Sequence, residues 1–400
     1  VVTPADAVQP GSLPATARAL LDTVASFWPE AQVRIGRARP GEADVAFPVV
    51  PDLRRPRMLL PAARGPAAGS LLRFSTALGA RETATRLATA AVARTLGPRA
   101  LGADQVVVRG GGDSLAGHLA DLLGDPVSFS VTIGTARANR KPILQVFAPD
   151  GRCVAFAKVG DTAVASGHVL GEADALRRIE GRLGEEFEVP RVLSLTTWRG
   201  QTVLLITPLA TRPQDPRHAG RAPVAEMQSF TEAFAEGSAA LPEVPQWAGL
   251  RATVDGLADR ALAGEFGSGL DRIETLAAGA ELPVGAWHGD WTAWNMARRP
   301  GVLQLWDFER FATGVLSGLD PFHYTLNHAV RAAGLSLDVA LAGAREGLRQ
   351  VGDTPRQRLL GAVHLAAVGL RYAGQAEQPG GEVALPRARV MAEALRAWLP

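Results

Sequence analysis

Hydrophobic and polar positions along the chain fall into short apolar runs in one region and amphipathic stretches elsewhere. VSFSVTIG (127–134), KPILQVFAP (141–149) and CVAFAKVG (153–160) are short, apolar, and bounded by turn signals, including a DG pair at Asp150 and Gly151. They predict a three-stranded antiparallel meander. LGEADALRRIEGRL (170–183) reads as a helix, and RVLSLTTW and QTVLLIT as two strands joined at Arg199–Gly200. Three strands, a helix and two strands make a small α+β lobe. Upstream, residues 1–104 mix helical patterns, such as SLLRFSTALGARETATRLATAAVARTL (70–96), with Pro- and Gly-rich breaks. QVVV then predicts a strand, and RGGGDSLAGHLADLLG a turn through Gly110–Gly112 followed by a helix with Asp113 as its N-cap.

PLATRP (208–213) reads as a connector, and mostly helical patterns follow it to about residue 280. AWNMA (293–297) and VLQLWDF (302–308) flank a turn containing Pro300–Gly301, which predicts a hairpin. Helical patterns return from LDPFHYTLNHAV (319–330) to the last residue. Three segments are therefore expected: an N-terminal additional module (1–104), a small lobe (105–207) and a helical lobe (208–400).

Composition narrows the function classes. The 47% hydrophobic and 20% charged content is that of a globular chain, and 400 residues suit two or three lobes. The net charge of +2, without a basic block or aromatic-interleaved basic stripe, argues against nucleic acid as a partner. A lone cysteine, Cys153, excludes a disulfide framework and a multi-cysteine zinc site, and is expected to face a core. The first residues lack the pattern of a signal peptide, and the longest apolar stretch noted, LLGAVHLAAVGL (359–370), is too short to span a bilayer. A soluble, cytoplasmic protein with no membrane partner is expected. Only Lys141 and Lys158 are lysine among 42 basic residues, so each surviving lysine raises a question.

The chemistry concentrates in WHGDWTAWNM (287–296). Asp290 and Asn295 lie on a loop running into one limb of the hairpin, and Asp307 ends the other limb. Paired limbs run about 5 Å apart, so Asn295 and Asp307 can face one site. One amide oxygen and one carboxylate suit Mg²⁺, which takes one or two protein carboxylates and completes its shell with water and phosphate. Asp290 would then accept a proton from an attacking hydroxyl, with His288 as a buried brace. Trp291, Trp294 and Trp306 need no role beyond core or site wall.

H-G-D-x-x-x-x-N followed by D-F-E resembles the catalytic and metal-binding motifs of the aminoglycoside phosphotransferase family, the small-molecule branch of the protein-kinase-like fold. The resemblance spans residues 127–325. It implies a bilobal α+β protein: a small antiparallel-sheet N-lobe with one key helix, and a larger, mostly helical C-lobe. It makes Asp290 the catalytic base and Asn295 and Asp307 the metal ligands. Lys158, held by Glu172 on the next helix, would bind the α- and β-phosphates of ATP or GTP; Glu180 is the rival partner. The adenine would pack near Ile206–Leu209.

Two features depart from protein kinases. GTARANRK (134–141) is not a Gly-x-Gly-x-x-Gly cover, which leaves backbone amides near Gly134, or Arg137 and Arg140, to meet the phosphates. Glu309 replaces the glycine after Phe308, removing a flexible hinge. The expected activity is transfer of a γ-phosphoryl group to a small-molecule hydroxyl acceptor, a sugar, aminosugar or polyol. The alternatives are an aminoglycoside-type antibiotic kinase, a nucleotide-binding pseudokinase scaffold, or phosphorylation of a protein. Asp320 is read as a helix cap, and His323 and His328 as ordinary core or surface histidines.

Overall fold

The computed structural model describes residues 14–38, 45–102, 104–132, 142–215, 218 and 221–399. Gly134, Arg137, Arg140 and Lys141, raised above as phosphate contacts or as the second lysine, lie outside the described residues. The chain divides into two compact units. One comprises residues up to Phe74, Leu78–Arg177 and Pro190–Pro213, and the other Ser75–Ala77, Arg178–Val189 and Gln214 onward.

The first unit is built from α1 (Ala15–Phe27), β1 (Gln32–Ile35), β2 (Val45–Val50), β3 (Met58–Leu59), α2 (Arg64–Leu71), α3 (Ala80–Thr95), β4 (Gln105–Arg109), α4 (Leu115–Leu123), β5 (Ser128–Thr132), β6 (Ile143–Phe147), β7 (Cys153–Gly160) and most of α5 (Ala163–Ile179). After β8 (Phe187–Glu188), which belongs to the other unit, β9 (Val192–Trp198) and β10 (Gln201–Ile206) complete it. Among the described residues its nine strands form one sheet in the order β1-β4-β2-β3-β5-β6-β7-β10-β9, antiparallel at every step. The meander is β5–β7. The stretch before residue 105, expected as an added module, contributes three strands to this same sheet, and β3 pairs directly with β5. Ala155, Ala157 and Val159 on β7 join Phe27, Trp28, Phe47 and Phe129 in one core, so β7 turns its intervening residues, Lys158 among them, to the other face.

Local chemistry explains where these elements turn. Arg199 (φ 46°) and Gly200 (φ 80°) both take the left-handed backbone that a two-residue hairpin between right-twisted strands requires. Helix α5 starts seven residues before the expected Leu170, because Thr162 Oγ1 caps the amide of Ala165 at 3.1 Å. Gly167 and Gly171 weaken the helical signal there, yet both sit with open space around them. Asp113 is not the cap of α4. Ser114 fills that place by accepting from Gly117 N, while Asp113 accepts from Trp198 Nε1 and, at 2.6 Å, from Arg199 Nε. The Arg199 guanidinium holds the Asp113 carboxyl below its usual range. Cys153 is half-buried, and burial pushes its thiol up to about 11.

The second unit contains α6 (Val224–Glu232), β11 (Gly237–Ala240), α7 (Pro245–Gly256), α8 (Arg260–Ala277), β12 (Glu281–Trp287), β13 (Met296–Arg299), β14 (Val302–Leu305), β15 (Ala312–Leu316), α9 (Asp320–Ala333), α10 (Leu337–Val351), α11 (Pro355–Ala376) and α12 (Leu385–Trp398). The expected hairpin is β13–β14, which pairs Met296 with Leu305 and Arg299 with Val302. Strand β8 extends it in parallel, and β12 sits between β11 and β15 in a second small sheet. Strand β12 escapes sequence reading because its last four residues are all buried, leaving no alternation to detect. Helices α7–α12 close on an apolar core that includes Phe266, Leu270, Phe322, Val363 and Met391. The apolar run 359–370 lies in α11 and is buried there. No helix among the described residues is long and apolar enough to cross a membrane.

Candidate functional site

In the first unit, Lys158 and Glu172 form a close pair. Lys158 Nζ donates to both carboxylate oxygens of Glu172, at 2.6 and 2.5 Å. The lysine is 5% exposed and the glutamate fully buried. Strand β7 and helix α5 follow one another with only Asp161 and Thr162 between them, so a residue near the end of the strand and one two turns into the helix meet. Glu180, the rival, follows the last residue of α5. Ile206 ends β10, buried, and Leu209 lies half-buried three residues on.

In the second unit, the loop between β12 and β13 carries the remaining candidates, and its backbone is held from several elements. Asp320, the first residue of α9, accepts from His288 N (2.8 Å) and Gly289 N (3.1 Å). Arg371 on α11 donates through Nη1 to Gly289 O at 3.0 Å. Thr76 Oγ1 donates to Ala293 O at 2.8 Å, and Ala77 N donates to the same carbonyl. Gly289 turns the chain at φ 75°, and a Cβ there would run into the carbonyl of Arg310. The helix-cap reading of Asp320 is thus corrected: its carboxylate serves the loop, not its own helix.

His288 is fully buried and fixed in one tautomer. Asp290 N donates to its Nδ1 (3.2 Å), so Nε2 carries the hydrogen and donates to Trp306 O at 3.1 Å. Burial pulls its pKa down to about 4, which keeps the ring neutral. The expected brace therefore joins the loop to the far limb of the hairpin. Trp291 packs edge-on against Phe230, with ring centroids 5.5 Å apart, and is fully buried, as is Phe308. Trp294 is half-buried beneath the guanidinium of Arg331.

The side chains of Asp290 and Asn295 touch. Asn295 Nδ2 donates to Asp290 O and to Asp290 Oδ2, both at 3.0 Å. Its amide nitrogen is thereby occupied, which leaves the amide oxygen as the atom to meet a hard cation. Asp307 follows β14 at φ 70°, an unusual conformation for a non-glycine residue, next to Trp306, whose N–H donates to Asn295 O at 3.1 Å. The hairpin thus brings Asn295 and Asp307 to one end of its ladder, and a carboxylate beside an amide oxygen fits Mg²⁺.

Three residues near Asp290 were missed in the sequence. His323 on α9, read as an ordinary histidine, places Nε2 3.1 Å from Asp290 Oδ1. His364 on α11 places Nε2 3.3 Å from His323 Nδ1. Arg371 is seven residues beyond His364, hence on the same helical face. Burial pulls its guanidinium down to about 10. The available signal was two polar residues, seven apart, in the otherwise apolar stretch 359–371 of α11.

No protein-family model matches the chain, and no curated protein does. Among solved structures, the chain is similar to a thermostable mutant of aminoglycoside phosphotransferase APH(4)-Ia in ternary complex with ADP and hygromycin B, at 15% identity over 71% of this chain and 98% of that one, TM-score 0.49. It is also similar to amicoumacin kinase hAmiN in complex with AMP-PNP, Ca²⁺ and Ami (11% identity, 67% and 88% covered, TM-score 0.41). A third is ADP-bound aminoglycoside phosphotransferase APH(2'')-Ib, at 10% identity over 71% and 97%, TM-score 0.41. At this level of likeness the functional reading rests on the side chains.

A cavity of about 220 Å³ opens beside the loop, lined by Trp294, Tyr324, Asn327, His328 and Arg331. Asn327 also lies 3.0 Å from the ring of His323, which ties the cavity wall to the Asp290 contact. Among the described residues, no carboxylate lines this cavity.

Proposed function

We propose that the protein is a phosphotransferase that moves the γ-phosphoryl group of ATP or GTP to a hydroxyl of a small neutral acceptor, a sugar or polyol. The observation that carries this is Asp290, whose carboxylate is held at Oδ2 by Asn295 and approached at Oδ1 by His323, one hairpin from Asp307. Lys158, gripped by Glu172, is the partner for the α- and β-phosphates, and Ile206 to Leu209 the place for the base. Asn295 and Asp307 would hold Mg²⁺, which supplies neutralisation of the charge on the phosphate oxygens.

In the reaction the acceptor oxygen forms a bond to phosphorus, and the bond from phosphorus to the β,γ-bridging oxygen breaks. The hydroxyl proton passes to Asp290, whose main task is to orient that hydroxyl. The cavity beside Trp294 is the candidate acceptor site. Its size suits a single sugar ring. Its cation, Arg331, and its lack of carboxylates among the described residues oppose a polycationic antibiotic.

Calorimetric titration of ATP and GTP with Mg²⁺ into the wild type and Asp307→Ala tests the donor half. Magnesium-dependent binding that the variant loses supports the reading, and no binding by folded wild type ends it. Screening sugars, polyols and aminoglycosides for nucleoside diphosphate release, with Asp290→Ala as control, tests the acceptor half. Binding without turnover on any acceptor favours the pseudokinase scaffold.

A further inference from the structure

Asp290, His323 and His364 form a chain of side chains that the phosphoryl-transfer chemistry does not itself require. The contacts are 3.1 Å from Asp290 Oδ1 to His323 Nε2 and 3.3 Å from His323 Nδ1 to His364 Nε2. His364 is fully buried and His323 is 3% exposed. The far nitrogen of the chain, His364 Nδ1, is a buried atom with no hydrogen-bond partner among the described residues. Two buried imidazoles are costly unless their hydrogen bonds achieve something.

The proton positions follow from counting donors and acceptors. An ionised Asp290 offers only lone pairs, so the bond at Oδ1 requires a hydrogen on His323 Nε2. A neutral His323 then presents a bare Nδ1, which must accept from His364 Nε2–H. That leaves a lone pair at His364 Nδ1. The opposite arrangement turns a lone pair of His323 toward the carboxylate and leaves a buried N–H at His364 with no acceptor, which costs more. One contact favours that alternative: Asn327 Nδ2 lies 3.0 Å from His323 Nε2. The same amide nitrogen also donates to His323 O at 2.9 Å, so it keeps a partner either way. A charge-assisted bond to a carboxylate outweighs a neutral amide contact.

We infer that His323 is a positioning residue that donates Nε2–H to Asp290 Oδ1 and fixes the carboxylate for catalysis, with His364 setting its tautomer from behind. The inference rests on Asp290 as the base, the reading proposed above. Asn295 and His323 then grip the two carboxylate oxygens from two different elements, so the group cannot rotate. His364 acts on Asp290 only through His323.

Two measurements test this, and the first needs no turnover. In full-length protein labelled with ¹⁵N-histidine, long-range ¹H–¹⁵N correlation at neutral pH distinguishes the two nitrogens of each ring, with His323→Gln assigning the resonance. A hydrogen on Nε2 and none on Nδ1 of His323 is expected. A hydrogen on Nδ1 would overturn the inference whether or not the protein transfers phosphate.

The second measurement uses the acceptor that the screen identifies. His323→Ala is expected to lower kcat by about a hundred-fold while nucleotide KM changes less than about two-fold. His323→Gln, whose amide nitrogen replaces Nε2–H, is expected to recover most of that loss. Wild-type kcat in His323→Ala would overturn the inference, as would equal losses in both variants accompanied by weaker nucleotide binding. A wild type that binds no nucleotide defeats the proposed function instead, and leaves the tautomer result to stand by itself.

Discussion

At the residue scale, the deciding feature is how buried charged groups at the candidate site are paired. Lys158 and Glu172 are buried together, and removing one partner of such a pair typically costs about 3 kcal/mol or more. Lys158→Met should therefore weaken nucleotide binding at least about ten-fold and lower the melting temperature as well, read by calorimetry and thermal unfolding. Asp320 is as consequential without touching the reacting groups, because it satisfies two buried amides of the loop. In Asp320→Ala both amides lose their acceptor, at about 1–3 kcal/mol each. A drop in kcat larger than any change in nucleotide affinity is expected, since the two amides belong to His288 and Gly289, immediately before Asp290.

At the element scale, the loop from His288 to Asn295 is shaped by its surroundings more than by its own preferences. Its neighbours are the start of α9, one face of α11, residues 75–77 and the hairpin. Gly289→Ala should destabilise the protein by about 1–3 kcal/mol, because alanine resists φ 75° and its Cβ meets Arg310 O. Equal unfolding midpoints for this variant and the wild type in a denaturant titration would refute that account. The loop and hairpin were legible in the sequence because Asp290, Asn295 and Asp307 are close along the chain, where spacing fixes geometry. Helix α5 was only partly legible: its amphipathic second half stands out, but Gly167 and Gly171 dilute the first half, and only the Thr162 cap shows where it begins.

At the scale of the whole molecule, three buried neutral histidines set a pH dependence. Burial depresses the pKa values of His288 (to about 4), His323 and His364. A depressed folded-state value adds stability that is fully present above the unfolded value near 6.5 and is lost as pH falls through the folded one. For His288 this amounts to roughly 3 kcal/mol. Asp320 acts in the opposite direction, since burial raises its carboxyl to about 7. Its contribution is present below the unfolded value near 3.8 and is lost as pH rises through 7. Melting temperature should therefore fall as pH drops from 6.5 to about 4, and fall more steeply in Asp320→Asn, where the opposing contribution is gone. Parallel pH profiles for the two proteins would contradict the assignment.

The sequence by itself determined the strands of the meander and the hairpin, and it pointed to Lys158, Glu172, Asp290, Asn295 and Asp307 as candidate site residues. The strands, the hairpin and the closeness of Asp290, Asn295 and Asp307 need only local periodicity, turn chemistry and short spacings, which the covalent chain dictates. Lys158 and Glu172 were singled out instead by the resemblance to the aminoglycoside phosphotransferase family. Only the tertiary structure decided that residues before 105 complete one antiparallel sheet, and that Asp320, His323, His364 and Arg371 gather around the loop. Arg371 and Gly289 are 82 residues apart in sequence, and Asp290 and His323 are 33 apart. At such separations no local pattern sets the distance between two side chains. It is set by which helix faces the packed core turns inward.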